Sequence, residues 1–427
     1  MRPIPTLALL ILLTAGNAAA TGWMDRLRGS EATDPVILIS IDSFHPDYLD
    51  RGLTPTLQAL ADDGVRARWM TPSFPSKTFP NHYSIVTGLV PDHHGIVDNN
   101  MIDAELGRFT LQNRDAVGDG RWWQGEPIWV TAQRQKLRTA TLFWPGSEAA
   151  IGGVRPDDWS PFDAAFGLDA RIDRVLGWLD RSPRRRPHFI TLYFEQVDAS
   201  GHLHGPDSPQ IEAAMVAVDN ALKRLVEGLE SRGLRDRVNL VIVSDHGMAE
   251  LDEDKVIVVE DVVDSSWVEI VSLSEIPSFN PKPGHDADAA AALLTPLDGM
   301  TCHRKADLPP DWNYGSHARV PAYVCLLEEG WRIRRRESFN PWQAVNVNKG
   351  AHGYDPQSPS MRALFVANGP AFKTGLLVEP LQNIHVYPLL AHLLGITAAP
   401  NDGDAAVTAP MLAPAPSGMS DQKSVQP

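Results

Sequence analysis

The chain has 427 residues, of which 43% are hydrophobic and 21% charged, a balance that excludes a wholly disordered or fibrous protein and suffices for a substantial buried core. Its 53 acidic against 38 basic residues leave a formal charge of -15, which argues against a long nucleic acid held through its phosphates. A small anionic substrate stays open if cations line its site.

Arg2, the apolar run Leu7 to Leu13 and the small residues Asn17-Ala18-Ala19-Ala20 form the pattern of a secretory signal over residues 1–20. Export, to the periplasm or the medium, is the expectation. The run is too short to cross a bilayer and no other stretch approaches the roughly 20 apolar residues required, so no membrane span is expected. No cysteine follows the run to accept a lipid anchor.

Val36 to Ile41, apolar but for Ser40, leads up to Asp42, as suits a strand buried on both faces. Phe189 to Phe194, with Asp198 soon after, and Leu240 to Val243, before Ser244-Asp245, repeat the pattern. The helical spacing of Ile211, Met215, Val218, Leu222 and Leu225 places a helix between the last two. The fold class is therefore alternating α/β with a mostly parallel central sheet flanked by helices, and ligands in such folds gather beyond the carboxyl ends of the strands.

Between the first two strands, prolines bracket Thr78 in Phe74-Pro75-Ser76-Lys77-Thr78-Phe79-Pro80. Pro80 suits a first helical turn and Gly88 its end, which puts Thr78 at a helix N-terminus where free N–H groups favour an anion. From this segment alone, a plain helix cap is the simpler reading. Asp198 and His202 are one helical turn apart, and Asp245-His246-Gly247 follows a strand, with Gly247 easing the chain out of it. His352 in a glycine-flanked loop and Asp42 after the first strand could complete two sets of zinc ligands. The remaining histidines, His82, His93, His94 and His204, read as packing or hydrogen-bonding residues, as do Trp122, Trp123 and Trp129.

From Leu251 to Arg336 the pattern changes to short strands, Pro-rich turns and an Ala-rich helix near Asp286 to Leu294, read as an inserted cap subdomain over 251–336. Cys302 and Cys325 are the only thiols; they read either as a disulfide, worth on the order of 3 kcal/mol, or as two buried free thiols. Ala363 to Ala367 is a fourth strand candidate and His385 to Gly395 a closing helix. The expected catalytic domain is thus 33–250 with 337–397, and residues 398–427, rich in Ala, Pro, Asp and Ser, read as a disordered tail.

Taken in order, Ile39-Ser40-Ile41-Asp42, Thr78-Phe79-Pro80-Asn81-His82, His94-Gly95-Ile96-Val97-Asp98-Asn99, Asp198 with His202, Asp245-His246-Gly247 and His352-Gly353 resemble the nucleotide pyrophosphatase/phosphodiesterase family of the alkaline phosphatase superfamily. The resemblance covers about residues 35 to 395. It implies an alkaline phosphatase-like core holding two zinc ions, one on Asp198, His202 and His352, the other on Asp42, Asp245, His246 and the nucleophile Thr78. It further implies that Asn99 donates to a phosphoryl oxygen and that a phosphothreonine forms and is hydrolysed. In bacterial relatives a nucleobase stacks between two aromatics whose matching positions are Phe79 and Tyr193, although both also read as wall or core residues.

Ser43 stands where the family often has Gly, and Gln196-Val197 where many animal members have Glu-Pro. No stretch matches the cysteine-rich and nuclease-like modules of larger animal members, so the resemblance is to the compact bacterial form. The implied substrate is a small nucleotide diester or anhydride. Alternatives within the superfamily are a lipid headgroup phosphodiesterase, a phosphonate hydrolase or a sulfatase. A sulfatase would need Cys or Ser at position 78, and a phosphomonoesterase normally uses Ser with a third metal. A non-catalytic exported binding protein would have no use for an activated hydroxyl.

Overall fold

The computed structural model describes residues 34–339 and 348–414. The expected signal at 1–20 lies outside them, as do residues 340–347 and 415–427. An eight-stranded sheet runs, from one edge, Leu376–Val378, Val65–Ala67, Phe365–Asn368, Asn239–Val243, Val36–Ile41, Phe189–Phe194, Thr139–Leu142 and Asp158–Ser160. Val36–Ile41 is central and lies parallel to both neighbours, with Val36 opposite Phe189 and Asn239. Every residue of these three strands is buried, which explains why each is largely apolar without alternation. The fourth expected strand forms as Phe365–Asn368, but antiparallel, with Phe365 opposite Val243.

Helices cover both faces of the sheet. On one side Pro209–Glu230 buries Ile211, Met215, Val218, Leu222 and Leu225, capped by Ser208 Oγ accepting from the Ile211 N–H. Pro55–Asp62 and Leu168–Leu179 join it, and the opposite side carries Thr78–Thr87, Ile128–Arg134 and Val386–Leu393. The three expected tryptophans pack here, Trp122, Trp123 and Trp129 all being buried. Because Ile41, Phe194 and Val243 end together, Asp42, the segment after Phe194 and Asp245 emerge at one edge.

Within 251–336 a four-stranded antiparallel sheet runs Val268–Ser272, Ser278–Pro281, Tyr323–Leu327 and Met300–Arg304, with the helix Asp286–Leu293 against it. Cys302 and Cys325 face each other in register and are disulfide-bonded. Replacing both with alanine is expected to cost on the order of 3 kcal/mol, read as an earlier midpoint in denaturant unfolding.

This unit is sewn to the rest of the chain. Arg319 donates to the carbonyls of Gly95 (2.8 Å), Trp122 (2.6 Å) and Arg121 (3.2 Å) and to Asp103 Oδ2 (2.7 Å). Gly95 sits at φ 76°, and a Cβ there would meet the Arg319 guanidinium. Tyr314 Oη donates to the Val97 carbonyl (3.0 Å), and Lys77 pairs with Glu275.

Residues 398–414, which fall within the expected disordered tail, are ordered. Asp402 accepts from the Val90 N–H (2.9 Å) and contacts His93, Ala405–Thr408 is helical, and Met411 is buried. A few anchoring side chains thus hold a segment whose average composition is that of a tail. Among the described residues, no helix is long and apolar enough to cross a membrane.

Candidate active site

Thr78 opens the helix Thr78–Thr87, whose N-cap is Lys77 and whose C-cap Gly88 is left-handed. Thr78 is therefore inside the first turn and is not the cap. Its Oγ1 lies 3.4 Å from His246 Nε2. The N–H of Phe79 is not free for an anion, as a bare helix end would leave it. It donates to Asn99 Oδ1 (3.0 Å), so what Asn99 has left to offer a ligand is its NH2.

Three carboxylates converge here. Asp42 and Asp245 are almost fully buried, Asp198 is half-buried, and among the described residues no lysine or arginine pairs with any of them. The nearby Lys77 is committed to Glu275 and donates to the His352 carbonyl (2.8 Å). Burial pushes the Asp42 carboxyl well above its ordinary range, and the charges of Asp245 and Asp198 push it further. Burial alone would raise Asp245 too, but the facing His246 and His82 rings hold it well below the usual carboxylate range. Among the described residues Asp42 Oδ1 and Asp245 Oδ2 are buried and make no hydrogen bond, although the His246 and His82 rings face Asp245 Oδ2. Buried carboxylate oxygens left bare in this way want a cation.

The histidines are oriented to share that cation. His202 Nδ1 faces the Gly350 carbonyl (2.9 Å), His352 Nδ1 the Ser76 carbonyl (3.0 Å) and His246 Nδ1 the Gly247 carbonyl (3.0 Å). With Nδ1 facing a backbone acceptor, each ring turns its Nε2 inward, the arrangement metal-binding histidines use. His202 Nε2 and His352 Nε2 lie 3.4 and 3.7 Å from Asp198 Oδ1, and His246 Nε2 lies 2.9 Å from Asp245 Oδ2. Burial, then the charges of His246, Lys77 and His202, lower His352 well below its ordinary value and keep it neutral. Asp, His and Thr oxygens and nitrogens in this arrangement fit zinc.

The tightest groupings differ from the two sets expected. Asp198, His246 and His352 form one compact trio and Asp42, His82 and Asp245 the other, because the His246 ring stacks on His352 at 3.6 Å between the two groups. His82, read from sequence as packing, therefore belongs to the site. Its Nδ1 lies 2.9 Å from the Thr78 carbonyl and 3.3 Å from Asp245 Oδ2, and its Nε2 lies 2.8 Å from Ser40 Oγ. With both nitrogens engaged, His82 holds Asp245 and the helix end in place. Gly247 serves close approach: its N–H donates to the Met361 carbonyl (3.1 Å), and a Cβ would collide with the Ser360 carbonyl.

A cavity of about 260 Å³ opens beside Thr78, bounded by Asp42, Asp198, Phe79, Trp144, Phe162 and Tyr193 among others. Phe79 rests on Trp123 and Phe109, its ring half-buried. Tyr193, expected either to stack on a base or to be a wall or core residue, lines this cavity. It is 8% exposed and its hydroxyl donates to Asp42 Oδ2 at 2.6 Å, so it buttresses a candidate ligand. The open aromatic is Phe162, 39% exposed, whose N–H donates to Glu148 Oε1 (3.0 Å) while Glu148 pairs with Arg114. Sequence reasoning missed Phe162 because it stands alone in an irregular, Pro- and Asp-rich stretch.

The sequence model of the type I phosphodiesterase / nucleotide pyrophosphatase family matches residues 36–355. An uncharacterized pyrophosphatase/phosphodiesterase of Schizosaccharomyces pombe is 37% identical over 86% of this chain and 78% of its own length. A venom phosphodiesterase of Crotalus durissus collilineatus is 37% identical over 90% of this chain, which spans 48% of that longer protein. Murine ectonucleotide pyrophosphatase / phosphodiesterase 5, solved as an inactive threonine-to-alanine variant in complex with AMP, superimposes with a TM-score of 0.84 at 31% identity, over 89% of this chain and 100% of that one. These relatives are eukaryotic, so the bacterial affinity read from the sequence finds no support among them. A match over most of the chain in sequence and fold shows that it belongs to the type I phosphodiesterase/nucleotide pyrophosphatase family, hydrolases of phosphodiester bonds.

Proposed function

We propose that this chain is an exported two-zinc enzyme that cleaves nucleotide phosphoanhydrides and phosphodiesters to nucleoside 5'-monophosphates through a phosphothreonine at Thr78. The observation that supports this most is the meeting of buried carboxylate oxygens that make no hydrogen bond and inward-facing Nε2 atoms beside Thr78 Oγ1. Asp42, Asp245 and His246 would hold one ion with Thr78, and Asp198, His202 and His352 the other. Bound zinc supplies Lewis acidity, lowering the pKa of a coordinated hydroxyl and neutralising charge on phosphoryl oxygens. Thr78 Oγ1, its proton lost to solvent, attacks phosphorus, and the bond to the leaving oxygen breaks as the new O–P bond forms. Asn99 donates its NH2 to a non-bridging oxygen. Water then attacks the phosphothreonine, the Thr78 O–P bond breaks, and the hydroxyl is restored.

Phe79 and Phe162 offer flat faces on which a base can stack without sequence preference. AMP in the murine relative supports a nucleotide substrate, and the inactivity of that threonine-to-alanine variant supports a threonine nucleophile. The venom and ectoenzyme relatives agree with export. A choline headgroup would want a free carboxylate, and Glu148, the carboxylate beside Phe162, is taken by Arg114. Chromogenic esters of a nucleotide, phosphocholine, phosphate and sulfate, assayed in parallel on zinc-loaded protein, should show fastest release from the nucleotide. A clear preference for phosphocholine or sulfate overturns this reading.

A further inference from the structure

Ser43 follows Asp42 at φ 60°, fully buried, in a conformation that glycine takes without strain and serine does not. The site gains something for that strain. Ser43 Oγ donates to Asp198 Oδ1 at 2.8 Å and lies 3.1 Å from His246 Nδ1, while the Ser43 N–H donates to Asp245 Oδ1 at 3.3 Å. One residue therefore touches candidate ligands from both sets. The hydroxyl has a single proton and a carboxylate can only accept, so that proton belongs to Asp198 and the His246 contact runs from Nδ1–H to Ser43 Oγ. The chain His246 Nδ1–H, Ser43 Oγ–H, Asp198 Oδ1 is directional. It turns His246 Nε2 toward Thr78 and Asp245 and Asp198 Oδ1 toward His202 and His352.

His246 has a second acceptor in the Gly247 carbonyl, whereas Asp198 has no hydrogen-bond donor besides Ser43 among the described residues, apart from the two histidines it would share an ion with. The burden of Ser43 therefore falls on Asp198. We infer that Ser43 is a positioning residue that bridges the two candidate ion pockets and sets the zinc affinity of the one built on Asp198, His202 and His352. This rests on the two-zinc reading. A glycine at the same place would satisfy the backbone and forgo the bridge.

The test is zinc competition against a chromophoric chelator on the full protein and its S43A and S43G variants, with thermal unfolding of each after chelation. In both variants one of two zinc ions should bind about tenfold more weakly, the cost of losing a group that orients a ligand. The other should be nearly unchanged. The free-zinc concentration for half-maximal activity should rise in parallel, with the rate at saturating zinc kept within a few-fold. Chelated S43G should melt above chelated S43A, because only glycine relieves the backbone. Zinc constants equal to the parent's, with melting temperature alone altered, would reduce Ser43 to a structural role and overturn the inference. A parent protein binding fewer than two ions overturns the two-zinc reading first, and this inference with it.

Discussion

Thr78→Ala is expected to lower kcat by about a thousandfold or more while leaving zinc content near that of the parent. The substitution removes one hydroxyl and one methyl from a half-buried residue in the first turn of a helix. Alanine is a better helix former, and no side-chain cap bond is lost because Thr78 makes none. The histidines beside it keep their backbone partners, and Asp42, Asp198 and Asp245 keep theirs in Tyr193 and Ser43. Stability and metal uptake should therefore hold, and the missing Oγ1 should account for the whole deficit. Steady-state kinetics with elemental analysis read both quantities, and acid-quenched turnover followed by mass spectrometry should find phosphothreonine at residue 78 of the parent alone. Undiminished activity in the variant would remove Thr78 from the reaction.

Asp42→Asn should divide stability from function in opposite directions. In the chelated protein Asp42 is a buried carboxyl crowded by Asp245 and Asp198, with only the Tyr193 hydroxyl donating to it among the described residues. Asparagine relieves that repulsion at nearly constant shape, so the chelated variant should melt at or above the temperature of the chelated parent. Zinc affinity should fall by more than about a hundredfold, beyond what losing an outer partner costs, and activity should fall with it. Differential scanning calorimetry with and without zinc makes the comparison. A variant that is less stable when chelated, yet binds zinc as the parent does, would make Asp42 a structural residue.

The sheet was legible because its central strands are buried on both faces, and a largely apolar run such as Val36 to Ile41 has few other uses. The candidate site was legible because strand order carries Asp42, Asp198 and Asp245 to one edge, so acidic residues following apolar runs already point to it. What escaped was set by contacts far apart in sequence. Ser43 meets Asp198 across 155 positions, and His82 meets Asp245 only because the helix Thr78–Thr87 begins beside the end of the strand Asn239–Val243. Tyr193 and Phe162 show how little an aromatic's identity says about exposure: the first lies in an apolar strand and turns its hydroxyl to Asp42, the second stands in irregular chain and faces the cavity. The segment after 398 has the composition of a tail, and its order depends on a handful of anchors such as Asp402 and Met411.

Arg319 carries a consequence for modularity. Its guanidinium spans from the turn before Tyr323–Leu327 to the carbonyl of Gly95, at the start of the stretch that leads to Asn99, and to that of Trp122. Residues 251–336 are therefore tied to the loop that carries Asn99. Loss of the arginine would strand two buried carbonyls and loosen that loop, although no residue lining the cavity beside Thr78 comes from 251–336. Variation in the insert and variation in the loop from 94 to 103 are in this way bound to each other, and a lineage that changes one must accommodate the other.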